Sequence, residues 1–261
     1  MRATVLLGVA LLAVPLAVAV AAPLPHAEPV YRLPDLASLP PSHFTFEAPD
    51  GSPDGCLPNE EERGAERCLR FTTYVANVGS GRLDLGLAAG RGQQRQMVQR
   101  IHAGDGEWME RPAGLVEFHP IHDHYHVAGL VSFTLHWVDG EGVVASNATT
   151  AGGKTGFCLL DGSVGDGSPP AGPRTYHRWN CKALEKQGVG MGITPGWVDK
   201  YNWTLADQYL EVSGVPDGVY DLVVVADPGH TLLETGRQNN AVTVRLRIDG
   251  QSVLVLPTES P

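Results

Sequence analysis

The chain is organised as short stretches of alternating hydrophobic and polar residues separated by turn-forming segments. The first begins at Cys68, where β-branched and aromatic residues alternate up to a Gly-containing turn at residues 78–81. Residues 127–138, 219–227 and 241–250 show the same strand-like pattern, and the last is followed by the short apolar run QSVLVL. These patterns predict a series of short strands.

Helical periodicity is scarce, and only residues 183–188 indicate a short turn. Several short strands without alternating helices predict an all-β fold, an antiparallel β-sandwich with long irregular loops and few short helices. We expect this domain to span residues 66–256. An irregular, Pro-rich arm at residues 22–65 should pack on it, and residues 257–261 should form a tail.

Residues 1–21 have the pattern of a secretory signal peptide, with one Arg, an apolar run and small residues in A-x-A spacing. No other stretch approaches the roughly 20 apolar residues of a membrane-spanning helix. The mature protein is therefore expected to be secreted. In that compartment four cysteines indicate two disulfides. Spacing groups Cys56 with Cys68 and Cys158 with Cys181, although four cysteines allow three pairings.

The charge balance narrows the range of partners. With 19 Lys and Arg against 29 Asp and Glu, the formal net charge is −10. An acidic surface disfavours nucleic acid and anionic membranes and attracts cationic partners. We therefore expect no nucleic-acid partner.

The clearest chemical signal is a histidine cluster at residues 119–126. His122, His124 and His126 are spaced by two, so in an extended chain their side chains project from one face. Continuing that alternation would place Ala128, Leu130 and Ser132 on the same face. Three imidazoles suit copper or zinc. A flat strand would separate the outer two Cα atoms by roughly 13 Å, so a bend is expected.

The cluster and three further segments carry motifs of a known family. Residues 118–126, FHPIHDHYH, are similar to the pattern W-H-x-C-H-x-H-Y-H. Residues 153–161, GKTGFCLLD, are similar to H-K-A-S-F-C-L-E-D, and Tyr-His-Arg at 176–178 matches Y-H-R. Residues 192–201, GITPGWVDKY, are similar to G-L-S-P-G-C-Y-D-x-Y. In these motifs the chain resembles the lysyl oxidase family, whose copper motif is the first of them, and the resemblance extends over about residues 33–250.

This resemblance implies an activity and a set of functional residues. It implies a copper-dependent oxidase that deaminates peptidyl lysine or other primary amines with O₂, releasing an aldehyde, H₂O₂ and ammonia. Lys154 and Tyr201 occupy the positions that fuse into lysine tyrosylquinone, and Asp199 is the candidate base. The copper ligands would be the imidazoles of His122, His124 and His126.

The resemblance also implies a calcium site formed by an early Asp-Leu and a late E-x-D-x-x-N-N motif. Calcium prefers oxygen ligands, which carboxylates, amides and backbone carbonyls provide. The matching residues are Asp35, Leu36 (through its carbonyl), Glu234, Asn239 and Asn240.

Three positions depart from the family pattern. Gly236 stands where the calcium motif has Asp, so one carboxylate is missing. Ile121 and Trp197 stand where the family has cysteines. These replacements leave the pairs Cys56–Cys68 and Cys158–Cys181 for disulfides.

Two other functions are compatible with the histidine cluster. The first is an exported copper- or zinc-binding β-sandwich that never forms the quinone. The second is a zinc hydrolase, in which Asp123 or Glu117 would be the general base beside three imidazoles.

Overall fold

The structure is a computed structural model that describes residues 28–90, 94–104, 106–120, 122–138, 143–146, 156–164, 170 and 172–257. The expected signal peptide at residues 1–21 lies outside the described residues, as do Ile121 and Lys154. Sixteen strands and two short helices are assigned within the described part of the chain.

The strands follow one another along the chain with only brief helical interruptions. Their bounds are β1 Leu36–Thr45, β2 Cys68–Asn77, β3 Leu83–Leu87, β4 Gln94–His102, β5 Trp108–His119, β6 His124–Ala128, β7 Val131–Trp137, β8 Val143–Ser146, β9 Gly156–Phe157, β10 Ser163–Val164, β11 Met191–Ile193, β12 Trp197–Tyr201, β13 Tyr209–Glu211, β14 Gly218–Ala226, β15 Ala241–Asp249 and β16 Ser252–Leu256. The helices are α1 Pro58–Glu61 and α2 Arg178–Lys182.

The strands form three antiparallel sheets. The N-terminal sheet has the order β1-β2-β12-β10, with β13 also paired to β2. The histidine sheet has the order β11-β3-β4-β5-β6-β9, and the C-terminal sheet has the order β16-β15-β14-β7-β8. The predicted fold class, all-β with antiparallel sheets and few short helices, is confirmed.

One hydrophobic core joins the three sheets. Phe71 of the N-terminal sheet, Val116 of the histidine sheet and Phe133 of the C-terminal sheet are fully buried in the same cluster. The rings of Phe71 and Phe133 pack edge to face with centroids 5.0 Å apart, a favourable aromatic geometry. Burial alternates along β14, where Tyr220 and Leu222 point inward, as period-two patterning predicts.

The segment expected to be an irregular arm contains β1, a ten-residue strand, so that expectation was wrong at Leu36–Thr45. Its Pro40 and Pro41 concealed the strand, because proline cannot donate a ladder hydrogen bond. They lie where the β1–β2 register shifts, between Leu39 and Ser42, and β1 is an edge strand. Both circumstances tolerate proline.

The predicted strand at residues 127–138 is two strands in two different sheets. β6 ends at Ala128 and β7 begins at Val131. Gly129 between them has φ +64°, a left-handed conformation that glycine adopts without steric cost. The predicted continuation of the histidine face through Leu130 and Ser132 was therefore wrong.

Both disulfides, Cys56–Cys68 and Cys158–Cys181, are present. The first closes a loop that contains α1, and the second joins the residue after β9 to α2. Neither helix in the described ranges is long and apolar enough to cross a membrane.

Candidate metal and tyrosine site

The three histidines converge because the chain bends just before β6. His124 and His126 lie on the same face of β6 and are both 5% exposed. His122 precedes the strand in a turn, and Asp123 between them has φ +53°. Asp is among the few residues that adopt this left-handed conformation readily. This is the bend that the sequence required.

The ring nitrogens are spaced as ligands of one ion would be. His126 Nε2 lies 2.9 Å from His124 Nε2 and 3.3 Å from His122 Nδ1. Nitrogens bound at 2.0–2.1 Å to one ion are about 2.9 Å apart at a right angle and about 3.4 Å apart at a tetrahedral angle. His124 Nδ1 donates to the carbonyl of His122 at 2.7 Å, which leaves its Nε2 for a metal. The three residues therefore fit copper or zinc.

A fourth histidine and a buried aspartate adjoin this centre. His119, at the end of β5, pairs with His124 across the ladder. Its ring stacks on that of His122 with centroids 4.3 Å apart. His119 Nε2 lies 3.5 Å from Asp207 Oδ2, and His119, His122 and Asp207 form a second group with metal-ligand spacing. Asp207 is a site residue that the sequence analysis missed.

Asp207 is held in place by residues of the first disulfide loop. Its carboxylate pairs with Arg63, and its backbone N–H donates to Glu60 Oε1 at 2.6 Å. Glu60 forms a fully buried ion pair with Arg70, with Oε2 and Nη1 2.7 Å apart. A buried charge pair of this kind tolerates little displacement, because each partner alone would be costly to bury. The loop of α1 therefore supports one wall of the histidine cluster.

Asp199 and Tyr201 are two residues apart on β12, so both side chains point to its buried face. The phenol of Tyr201 donates to the carbonyl of Cys158 at 2.8 Å and accepts a hydrogen bond from the N–H of Cys158. Burial raises the pKa of the Tyr201 phenol well above its usual value, and the charge of Asp199 raises it further. The phenol is therefore protonated at neutral pH in this arrangement.

Strand β9 connects the histidines with the tyrosine. Phe157 pairs with Val127 of β6, and its ring lies edge-on to that of Tyr201, with centroids 4.6 Å apart. Gly156 packs so closely on His126 that a Cβ at residue 156 would lie 2.9 Å from the Cβ of His126. This two-residue strand thus fixes the spacing of both groups.

The two groups share a cavity of about 220 Å³. Its walls include two of the three clustered histidines, the tyrosine and the candidate base. The lining residues are His122, His124, Cys158, Leu160, Arg178, Asp199, Lys200, Tyr201 and Leu205. The arrangement brings metal-type ligands, a phenol and a carboxylate to one partly open cavity.

The residues expected to bind calcium are also brought together, although they are about 200 positions apart in the sequence. Asn239 Nδ2 donates to Asp35 Oδ1 at 2.7 Å. The Leu36 N–H donates to Glu234 Oε2 at 2.7 Å, and Asn240 Nδ2 donates to Glu234 Oε1 at 3.0 Å. This cluster joins the start of β1 to the loop between β14 and β15.

Fold and site together define a class: an all-β protein with a three-imidazole centre beside a buried tyrosine. The family model for lysyl oxidase matches residues 95–257, more than half of the chain. The chain belongs to the lysyl oxidase family.

Curated relatives agree with this assignment at modest identity. Protein-lysine 6-oxidase of Sus scrofa is 29% identical over 227 residues, covering 84% of this chain and 78% of its own length. Lysyl oxidase homolog 3B of Danio rerio is 28% identical over 194 residues, 74% of this chain. Lysyl oxidase homolog 1 of Homo sapiens is 28% identical over 190 residues, 72% of this chain. The alignments span only 19% and 29% of these two homologs, respectively.

Proposed function

We propose that the chain is a secreted, copper-dependent amine oxidase. It would deaminate peptidyl lysine or other primary amines with O₂ to aldehydes, releasing H₂O₂ and ammonia. The observation that carries this proposal is the cavity shared by His122, His124, Asp199 and Tyr201. Family membership supports the same function, and the two disulfides fit an oxidising compartment.

The three clustered imidazoles are the proposed copper ligands. Copper held by these residues would supply the O₂ chemistry for oxidising the Tyr201 ring, and a quinone formed from Lys154 and Tyr201 would be the electron sink for the amine. The protein's own contribution is to hold His122 against the buried pair His124 and His126, with the tautomer of His124 set by a backbone carbonyl.

Tyr201 is positioned for this role by the backbone of Cys158, which bonds the phenol oxygen through both its N–H and its carbonyl. Lys154 lies outside the described residues. In the sequence it is two residues before Gly156, where β9 begins, and four before Cys158, which lines the cavity. The proposal takes Lys154 as the partner of Tyr201 from this proximity in sequence and from the family resemblance.

Asp199 is the proposed base. It is 2% exposed, lines the cavity and lies on the same face of β12 as Tyr201. A carboxylate here would attract the cationic amine and accept the α-proton of the bound substrate. Peptidyl lysine or a small primary amine presents the group that such a cavity admits.

Peptide mass mapping of the copper-loaded, full-length mature protein tests the proposal. We expect a covalently joined pair of peptides carrying Lys154 and Tyr201, together with amine-dependent H₂O₂ release. Lys154→Ala and Tyr201→Phe should each abolish both signals, because each removes one partner of the cross-link. Lys186→Ala is the matched control, since Lys186 lies over the ring of Trp179. Unlinked peptides in a protein with bound copper would refute the proposal.

The alternative is an exported copper- or zinc-binding β-sandwich without the quinone. The observation that favours it is that the buried phenol of Tyr201 makes two hydrogen bonds and has a raised pKa, so that it is protected against ionisation. A protein of this kind would bind metal equally well in Lys154→Ala and Tyr201→Phe and show no cross-link. The hydrolase alternative receives less support from Asp123, because that carboxylate is exposed and bonds Lys182 Nζ at 2.9 Å.

A further inference from the structure

Two buried carboxylates belong to the loop that joins β14 to β15. Asp227 follows β14 and is 2% exposed, and the side chain of Glu234 is fully buried. Burying an ionised carboxylate is costly unless a positive charge or hydrogen-bond donors compensate it. Both kinds of compensation are present at this point of the fold.

Arg237, from the same loop, provides that charge. Its Nη1 lies 2.9 Å from Asp227 Oδ2 and 3.2 Å from Glu234 Oε1. Its Nη2 donates to the carbonyl of Leu232. One guanidinium thus bridges both carboxylates and a backbone carbonyl, which suits its planar set of five N–H donors.

The carboxylate oxygens are further occupied by N–H donors of the protein. Asp227 Oδ1 accepts from the N–H of Thr231 at 2.9 Å, and Oδ2 accepts from that of Leu232 at 3.0 Å. Glu234 Oε2 accepts from Leu36 and Oε1 accepts from Asn240. Calcium requires six to eight oxygen ligands. In the described structure Asn240 Oδ1 is the one buried oxygen of this cluster recorded without a hydrogen-bond partner.

Gly236 removes the remaining carboxylate of the expected calcium motif. A Cβ at residue 236 would lie 3.8 Å from Asp35 Oδ2, so an Asp there would add negative charge beside Asp35. The chain has no side chain at this position and a cationic one at the next. The missing carboxylate at residue 236 and the guanidinium of Arg237 both act in the same direction, away from the need for a divalent ion.

We propose that Arg237 replaces a divalent cation in this chain, so that the junction between β1 and the β14–β15 loop is stable without calcium. The residues predicted to bind calcium remain together and keep their connecting role. The guanidinium neutralises Glu234, one of the two carboxylates expected to bind the ion, together with the neighbouring Asp227, and its charge repels a divalent cation.

The test is a titration of the copper-loaded mature protein with calcium chloride. Calorimetry measures the heat of binding, and thermal unfolding measures the melting temperature. Calcium chloride is added up to about 10 mM, above the dissociation constants of about 10⁻⁴–10⁻³ M of extracellular calcium modules. The wild-type chain should show no heat of binding and no change in melting temperature. Arg237→Gln should lower the melting temperature by about 6–12 °C, because it leaves buried carboxylates uncompensated in a domain of this size.

Added calcium should raise the melting temperature of Arg237→Gln part of the way back to that of the wild type. The rise should be larger in the double variant Gly236→Asp with Arg237→Gln. Arg237→Lys keeps the charge and should remain insensitive to calcium. Arg245→Gln is the control, because it removes an arginine from a partly exposed pair with Asp221 and should acquire no calcium response. Saturable calcium binding by the wild-type chain, with a rise in melting temperature, would overturn the proposal even if Arg237→Gln failed to fold.

Discussion

At the scale of single residues, the proposed metal centre adjoins a carboxylate that is not one of its proposed ligands. Asp207 contacts His119, whose ring stacks on that of His122. An outer partner of this kind orients the imidazole that it supports and tunes the affinity of the ligand set. Asp207 also adopts φ +65°, which Asp and Asn tolerate better than other side chains.

Asp207→Asn should therefore lower copper affinity about tenfold while preserving the fold. Asparagine keeps the size and the left-handed backbone preference but loses the charge that faces His119. Competition with a copper chelator measures the affinity, and circular dichroism checks the fold. Asp221→Asn, in the partly exposed pair with Arg245, is the matched control. Equal affinity of Asp207→Asn and wild type would show that His119 needs no carboxylate.

Which site residues could be predicted depended on whether they form a local pattern. His122, His124 and His126 are recognisable from their spacing, and Lys154, Tyr201 and Asp199 follow from resemblance. Asp207 and Arg237 carry no local signal, because a single charged residue in a loop has many structural explanations. The partner of Asp207, His119, lies far away in sequence. The partners of Arg237 lie in its own loop, and their contacts depend on the conformation of that loop.

At the scale of elements, the short strand β9 limits how far the histidines and the tyrosine can move apart. It pairs with β6 on one side, and Cys158 directly after it bonds the phenol of Tyr201. No sequence pattern predicts a two-residue strand. The β6–β7 break was likewise hidden, because Gly129 lies within an otherwise continuous apolar alternation. β14 and β15, by contrast, alternate cleanly and were predicted.

Gly156→Ala should disturb this strand directly. The added Cβ would meet the Cβ of His126 at 2.9 Å, and neither atom is at the end of a flexible side chain. We expect a loss of about 1–3 kcal/mol in the free energy of unfolding. Copper affinity should fall as well, because His126 must move.

Urea unfolding and copper titration of Gly156→Ala measure these two effects. Gly172→Ala is the control, since a Cβ at residue 172 meets no atom within 4 Å and φ there is not positive. If the two alanine variants behaved alike, the close packing of β9 on β6 would have no energetic consequence.

At the scale of the whole molecule, buried phenols make stability sensitive to alkaline pH. Burial raises the pKa of Tyr209 to about 12, and the charge of Glu60 adds to the effect. The folded state then holds this proton more tightly than the unfolded state, whose pKa is about 10. The contribution of this proton to the free energy of unfolding is fully present below pH 10 and is lost as pH rises from about 10 toward 12.

Between about pH 10 and pH 12, Tyr209→Phe should make the fall in the free energy of unfolding less steep by about 1.4 kcal/mol per pH unit. At pH 7 the variant should be as stable as wild type or slightly more stable. The reason is that the Tyr209 hydroxyl is buried and has no recorded hydrogen-bond partner among the described residues. Urea unfolding at pH 7 and near pH 11 measures both quantities. An unchanged alkaline slope would mean that Tyr209 ionises in the folded protein as freely as in the unfolded chain.

The disulfide between Cys158 and Cys181 sets a condition on how the protein can be produced. If the chain folded in a reducing cytosol, two thiols would lie beside the tyrosine and near the imidazoles. Thiolates are strong ligands for Cu(I), so they would compete with the histidines for the metal. Oxidation of the two thiols before copper loading would avoid this competition. Recombinant material from a reducing compartment should accordingly carry misplaced copper, even when its backbone has folded correctly.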